Sequence, residues 1–468
     1  MEVLTTSNFK KVVEGGYCIG CGACAARPTG QVNILMNSFG YYQAQLSPNG
    51  LPPEDFSSVC PFSGQSVDED TIAKELFSAD GTHDYAMIGR CIACYAGYVT
   101  ESPFRELGSS GGLTSWILCE MLCKKLVDGV LHVGPDEGNQ LFSYKISKTV
   151  AEVRARAKSR YYPVQLSEVL NFVRGLEGRF VVVGVPCFIK AVNLLKRADP
   201  VFRERIISTV GIFCGHLKSA RFSEYLAAQI GAPLTDIADF NFRHKYSKGP
   251  ASHYGFEVSK RDGNSVIRPM SEIYGNNWGY GFFKYEACNF CDDVTAETAD
   301  IAMGDAWLPH FIQDPLGTNV VIVRSAKCNE ILIEGLSSGR IHMEEIDAAQ
   351  VIASQEAGLR DRREGLAYRL AVKDAEGTWH PKKRVVPSNH LSLRRKQIYT
   401  LRQKISRATD VAFDEVRRTG SLAVFELNLR PLTDAYDAFY QPTWCERLRL
   451  MLGKVARKLG KYLRRIKL

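Results

Sequence analysis

At 468 residues, 45% hydrophobic and 24% charged, the chain has the composition of a soluble globular protein and is long enough for two or three domains with their own cores. It opens with no apolar run, so no secretory signal is expected, and no stretch approaches eighteen consecutive apolar residues, so no membrane span is expected; a cytoplasmic location is expected. The net charge of +8 is local: nine Lys or Arg against one Glu fall between Glu446 and Leu468, and the rest balances at 50 and 50.

In chain order, the first chemistry is CIGCGAC. Cys18, Cys21 and Cys24 stand two residues apart, and Cys60 follows before Pro61. Three thiolates at that spacing can wrap one corner of an iron–sulfur cube, and a remote Cys-Pro supplies the fourth iron. Gly20 and Gly22 let the backbone turn its N–H groups toward the sulfurs. Pro28 occupies the place where two-cluster ferredoxins carry their next cysteine, so the loop reads as a single-cluster site. A structural zinc knuckle is the alternative, since pairs at two-residue spacing also suit zinc. Fourteen cysteines without an export signal argue for ligands and free thiols, not disulfides.

A helical hinge over Asp68–His83 leads into GRCIACYAGYV. From there strand-like and helix-like segments alternate: a helix over Leu113–Leu126, strands at VLHVG and RFVVVGVP, a helix at CFIKAVNLLKRA, a strand at RIISTVGIFCG and a helix ending on Gly231. Such alternation predicts an α/β core with a partly parallel sheet. GFEVSK, SVIRPM and NVVIVRS read as strands of an attached, more antiparallel part. After about Ser388 the chain turns helical and charged.

A second set of cysteines punctuates this core. Cys187 follows Pro186 after a buried strand, Cys214 ends another strand, and Cys288 and Cys291 form CNFC. Strand ends at the carboxyl edge of an α/β sheet converge, so these four make a plausible second ligand set; the bland reading is that Cys187 and Cys214 are small buried hydrophobes. Cys91 and Cys94 form another C-x2-C, read as redox thiols or spare ligands. Cys119 and Cys123 read as core packing, and Cys328 and Cys445 carry no signal.

With CIGCGAC, GSSGGLTSWIL, KSRYYPV, VVVGVPCF, GIFCGH, CNFCDDVTAETADIAMGDAW and GTNVVIVRS in the same order, residues 10–330 resemble the coenzyme F-420 hydrogenase/dehydrogenase beta-subunit family. That family includes enzymes that reduce the hydroxymethyl group of a chlorophyll, and bacterial relatives found with polysaccharide genes. The resemblance implies a flavoprotein with one or two 4Fe-4S clusters and FAD. It places Ser109, Ser110, Gly111 and Gly112 at the flavin, where small residues before a helix let N–H groups approach an anion; a plain Ser110 cap is the alternative. Lys158, Ser159, Arg160 and Tyr161 offer cations, a hydroxyl and a ring to a pyrophosphate and a flavin, or else form a solvated basic turn. Asp305, after Gly304, and Asn319 bound the same pocket. His216, beside Cys214, is the candidate proton donor, with a structural hydrogen-bonding role as its alternative.

The expected architecture is α/β with a mixed sheet core, a small N-terminal ferredoxin-like 4Fe-4S lobe (1–70), two parts of a flavin-binding core (84–170 and 171–345), a mostly helical extension (346–445) and a helical basic C-terminal tail (446–468). The expected function is an oxidoreductase. Ferredoxin or a redox partner subunit feeds the Cys18/Cys21/Cys24/Cys60 cluster, which passes electrons through the Cys187/Cys214/Cys288/Cys291 cluster to the flavin. The alternatives are a non-catalytic electron-transfer subunit and a polysaccharide-biosynthesis accessory protein. The tail sets Leu448, Leu452, Val455, Leu459, Tyr462 (or Leu463) and Ile466 on one stripe among cations, the pattern of a helix lying on an anionic membrane surface, or docked on the protein's own body or on an acidic partner. Nucleic acid is excluded as a partner, because the body has neither a basic stripe nor a recognition motif.

Overall fold

Runs of β-branched and aromatic residues become strands along most of the first 345 residues. The computed structural model describes residues 2–441 apart from 79, 137, 139 and 233; the expected tail at 446–468 and Cys445 lie outside the described residues. Two compact units are formed, Met1–Leu391 and the chain from Ser392 onward.

In the first unit, helix Glu2–Glu14 precedes the cysteine loop, which is followed by a hairpin of β1 (Val32–Met36) and β2 (Tyr42–Leu46). A short antiparallel pair, β3 (His83–Tyr85) and β4 (Gly89–Cys91), leads into the central sheet. That sheet contains β5 (Ala93–Val99), β6 (Gly129–Pro135), β7 (Phe142–Ser147), β8 (Phe180–Gly184) and β9 (Ile206–Ile212). A separate antiparallel sheet is built from β10 (Ile237–Lys245), β11 (Tyr254–Lys260) and β12 (Ser265–Pro269). The chain then returns to the central sheet with β13 (Ile301–Asp305), β14 (Asn319–Val323) and β15 (Ile341–Glu345). The eight-stranded order is β15-β5-β14-β13-β9-β8-β6-β7. Strands β13, β9, β8 and β6 are parallel; β14, β5 and β15 on one side and β7 on the other are antiparallel to their neighbours. The protein is thus a mixed α/β fold.

Burial on both faces explains the apolar text of the middle strands. Val181 packs with Trp116, Val130, Val210 and Ile301 on one face. Val182, one residue on, points to the other face with Leu131, Ile189 and Ala302. That second cluster continues without a break into Phe9, Tyr17, Ile19 and Phe56 of the N-terminal stretch, so those residues share one core with the sheet. NVVIVRS differs from its expected place: Asn319–Val323 pairs with β13 and β5 inside the central sheet. A short apolar run reads the same in a hairpin and in a buried strand, so periodicity alone could not place it.

After β15 come helix Ala348–Ser354, helix Glu356–Arg360, a π-turn at Asp361–Gly365 and helix Leu366–Ala375. The second unit is a helical hairpin, Leu393–Thr419 and Leu422–Ala438, turned at Gly420 with φ of 72° and closed by an edge-on contact of Phe413 with Phe425. No helix among the described residues is long and apolar enough to cross a membrane.

Candidate functional site

Two cysteine quartets and one cation-rich loop cluster lie at the carboxyl ends of the parallel strands or against them. The first quartet is held by a loop that needs its glycines. Gly20 has φ of 64°, and a Cβ there would stand 2.5 Å from Tyr42; Gly22 has φ of 87°, and a Cβ would stand 2.6 Å from the Ser167 nitrogen. With the loop pressed this close, the Gly20 and Ala44 N–H groups both donate to Cys18 Sγ at 3.4 Å. Cys60 follows helix Phe56–Val59 and faces the same space. Cys18, Cys21, Cys24 and Cys60 all line one cavity, whose other walls include Val12, Ile34, Phe56 and Phe62.

The second quartet is assembled from three places in the sequence. Cys187 lies in the first turn of helix Pro186–Ala198, directly after β8. Cys214 follows β9, its N–H donating to the Val294 carbonyl at 3.0 Å. Cys288 and Cys291 sit on the turn at Glu286–Phe290 and just after it, and Leu217 N–H donates to Cys288 Sγ at 3.2 Å. All four line a second cavity with Arg362 and Asp293. Ile19 and Phe62 belong to the walls of both cavities, so the two quartets are neighbours across two side chains.

Burial pushes all eight thiols up, Cys21 to about 12 and Cys288 to about 11. Such thiols become thiolates only when a metal takes the proton's place. Among the described residues no three Cys, His, Asp or Glu groups converge closely enough for a single metal ion. In each quartet the four sulfurs line one cavity. Arg362, on the π-turn, donates to the carbonyls of Gly215 and, at 3.4 Å, Cys214. Burial opposes the charge on this guanidinium, while Asp361 and the sulfurs of Cys291, Cys288 and Cys214, once deprotonated, favour it.

The glycine–serine loop lies at the other side of the sheet end. Gly111 admits no side chain, since a Cβ would stand 2.7 Å from the Gly97 carbonyl, and Gly112 caps helix Leu113–Cys123 with φ of 84°. The Asn319 side chain fixes the helix start: its Oδ1 accepts from Leu113 N–H at 3.2 Å and its Nδ2 donates to the Gly304 carbonyl at 3.2 Å. Ser109 Oγ accepts from Ser159 N–H at 2.8 Å, which joins this loop to KSRYY, and Ser110 Oγ donates to the Thr318 carbonyl at 3.0 Å. Lys245 Nζ donates to the carbonyls of Ser110 (2.7 Å) and Arg105 (2.6 Å). Burial and the nearby cations Lys158, Arg105 and Arg243 push this amine down to about 7. Arg243 Nη1 in turn meets Asp305 Oδ2 at 2.6 Å. Tyr161, pushed to about 12 by burial, stands edge-on to Trp278 at 5.0 Å, and the His216 ring lies against the same tryptophan at 4.7 Å. Arg160 is turned inward, paired with Asp239 at 3.1 Å and lying over the Phe142 ring.

The two halves of one family description match this chain in order: the N-terminal part of the beta subunit of coenzyme F420 hydrogenase/dehydrogenase over residues 94–171, and its C-terminal part over residues 177–349. The chain belongs to the coenzyme F420 hydrogenase/dehydrogenase beta-subunit family. This is a family of iron–sulfur flavoprotein redox subunits. The coenzyme F420 hydrogenase subunit beta of Methanococcus voltae is 27% identical over 260 residues, covering 53% of this chain and 82% of that protein. A UPF0283 membrane protein of Mesorhizobium japonicum, mlr0776, is 32% identical over 117 residues, which span 24% of this chain and only 31% of that protein. Among solved structures, a chain of the F420-reducing NiFe hydrogenase complex from Methanosarcina barkeri aligns at 17% identity with a TM-score of 0.48, over 62% of this chain and 96% of that one.

Both family segments stop short of two parts of the site in this beta-subunit relative. The first quartet precedes residue 94, and Arg362 follows residue 349. The structure draws Ser109–Gly112, Ser159, Tyr161, Asp305 and Asn319 into one neighbourhood, with His216 beyond Trp278. Within it, Asn319 and Arg160 are already engaged by internal partners. Sequence reading missed Arg105, Arg243, Lys245, Trp278 and Arg362. One signal was available: Arg243 and Lys245 alternate on β10, which puts two cations on one face of a strand.

Proposed function

We propose that this chain is an oxidoreductase or redox subunit in which Cys18, Cys21, Cys24 and Cys60 hold one 4Fe-4S cluster, Cys187, Cys214, Cys288 and Cys291 hold a second, and FAD sits at the loops Gly108–Gly112 and Lys158–Tyr161. When bound, clusters carry single electrons and a flavin exchanges them for a hydride. The observation that carries this reading is the pair of four-cysteine cavities with Ile19 and Phe62 in common, because adjacent clusters form a relay.

The chain's own groups then have defined work. The N–H donors of Gly20, Ala44 and Leu217 neutralise sulfur charge and favour the reduced state. Ile19 and Phe62 keep water from the space between the quartets. Lys245 and Lys158, beside the helix start at Leu113, attract the diphosphate of FAD. His216, its ring 4.7 Å from Trp278, is the candidate proton donor. Residues 1–70 act as a ferredoxin-like entry lobe, fed by ferredoxin or a redox partner subunit. The partner reading is favoured by the Methanococcus relative, itself named as a subunit of a hydrogenase.

Anaerobically purified protein is expected to contain iron, acid-labile sulfide and flavin. Cys60→Ser and Cys291→Ser should each remove about half the iron and leave the other cluster's visible absorbance. Zinc in place of iron, or no flavin in the wild type, overturns the assignment.

A further inference from the structure

Cys91 and Cys94 belong to neither quartet. Cys91 ends β4 and Cys94 is the second residue of β5, with the intervening Ile92 N–H donating to the Val323 carbonyl at 2.7 Å. This tight link sets the two sulfurs 3.8 Å apart, both buried among Ile88, Val294 and Ile322. No third ligating side chain joins them among the described residues.

A second feature lies beside the pair. Arg324 is 1% exposed; its Nη2 donates to the carbonyls of Ile88 (3.0 Å) and Thr295 (3.4 Å), while Nε and Nη1 have no hydrogen-bond partner among the described residues. A buried guanidinium with unused donors is costly, and such groups gather where an anion forms. Burial draws its pKa down, and the opposing charges around it are Asp293, Glu297 and the two thiols themselves. The hydrogen bond from Cys94, together with Arg324, draws the Cys91 thiol down, while the same bond, burial and the Cys91 charge push Cys94 up. A thiol drawn down beside a thiol pushed up, with their sulfurs 3.8 Å apart, is the arrangement of an attacking and a resolving cysteine.

We propose that Cys91 and Cys94 form a redox-active dithiol that hydrogen peroxide converts to an intrachain disulfide, with Cys91 as the attacking sulfur. The Cys91 thiolate attacks one peroxide oxygen, the O–O bond breaks, and the leaving oxygen takes up a proton as water, which leaves a sulfenic acid on Cys91. Cys94 sulfur then attacks Cys91 sulfur, the S–O bond breaks, and the hydroxyl departs as water with the Cys94 proton. Two sulfurs lose one electron each and the peroxide gains two. The sulfurs need to close from 3.8 Å to about 2.05 Å. Burial of both thiols limits the oxidant to a molecule near the size of water.

The test uses the full-length protein, prepared anaerobically and free of added thiol, exposed to graded hydrogen peroxide, then unfolded in iodoacetamide and cut with trypsin. The peptide Cys91–Arg105 contains both cysteines and no other. It is expected to become lighter by two hydrogens and resistant to alkylation at doses that leave Cys119 fully alkylated. With Cys94→Ser, dimedone should label Cys91; with Cys91→Ser, Cys94 should stay unlabelled. A wild-type peptide that remains doubly alkylated at every dose overturns the proposal, as does equal dimedone labelling of the two variants.

Discussion

Lys245 offers a test of the cofactor pocket that does not depend on turnover. Its amine sits on the Ser110 and Arg105 carbonyls and is held at about 7 by burial and by Lys158, Arg105 and Arg243. An ordinary lysine titrates near 10.4. A diphosphate against Gly108–Gly112 restores the charged form, because an opposite charge favours the ammonium. The sign follows from linkage. Below pH 7 the amine is charged with or without the ligand, so affinity is flat. Above pH 7 the free protein has lost that proton and binding must take one up, so affinity falls about tenfold per pH unit until the bound-state pKa is reached. From pH 7, where half the proton is already lost, to pH 9 the loss is about fiftyfold, or about 2.3 kcal/mol. FAD binding to flavin-stripped protein, followed by flavin fluorescence at pH 6, 7, 8 and 9, reads it directly. Lys245→Met should bind more weakly at pH 6 and show no slope. A wild-type affinity that stays level from pH 6 to 9, or a variant with the same slope, refutes the placement of the diphosphate beside this amine.

Two other outcomes follow. His132, bonded to Ser147 Oγ at 2.8 Å, is depressed to about 4 by burial and by Arg156. Its folded pKa lies below the unfolded value of 6.5, so its stability is intact above pH 6.5 and is lost as pH falls toward 4, by about 2 kcal/mol at pH 5. Urea midpoints at pH 7.5 and pH 5 should show that loss in the wild type and much less of it in His132→Gln; identical drops in both proteins would falsify the assignment. Arg362→Met should lower the reduction potential of the second cluster, since removing a buried cation disfavours added negative charge, and Arg362→Lys should restore most of it. Potentiometric titration followed by EPR makes the comparison, and equal potentials in all three proteins would count against any role for this cation.

The convergence of the eight cysteines was legible because two-residue spacings keep thiols together and strand ends announce themselves by a buried run stopping at a Gly or Pro. The loop at Gly108–Gly112 was legible for a similar reason, since only glycine fits against the Gly97 carbonyl. Saturation of donors was not legible. Arg160 and Asn319 have the right atoms for a cofactor, yet Asp239, Leu113 and Gly304 already use them. Nor could the text reveal which of many Lys and Arg residues converge: Arg105 and Lys245 meet at 2.6 Å across 140 residues of chain. NVVIVRS was a strand in either reading, but which sheet it joined depended on partners far away in sequence.

The position of β5 has a consequence for how the chain comes into being. It pairs on one edge with β14 and on the other with β15, and its first partner is translated roughly 220 residues later. At about 5–20 residues per second, β5 emerges with both edges bare for roughly 10–45 s. CIGCGAC and Cys60 leave the ribosome before that interval begins, while Cys288 and Cys291 come near its end. This strand order leaves Ala93–Val99 waiting for both its partners, and the two cysteine quartets become complete at different times during synthesis.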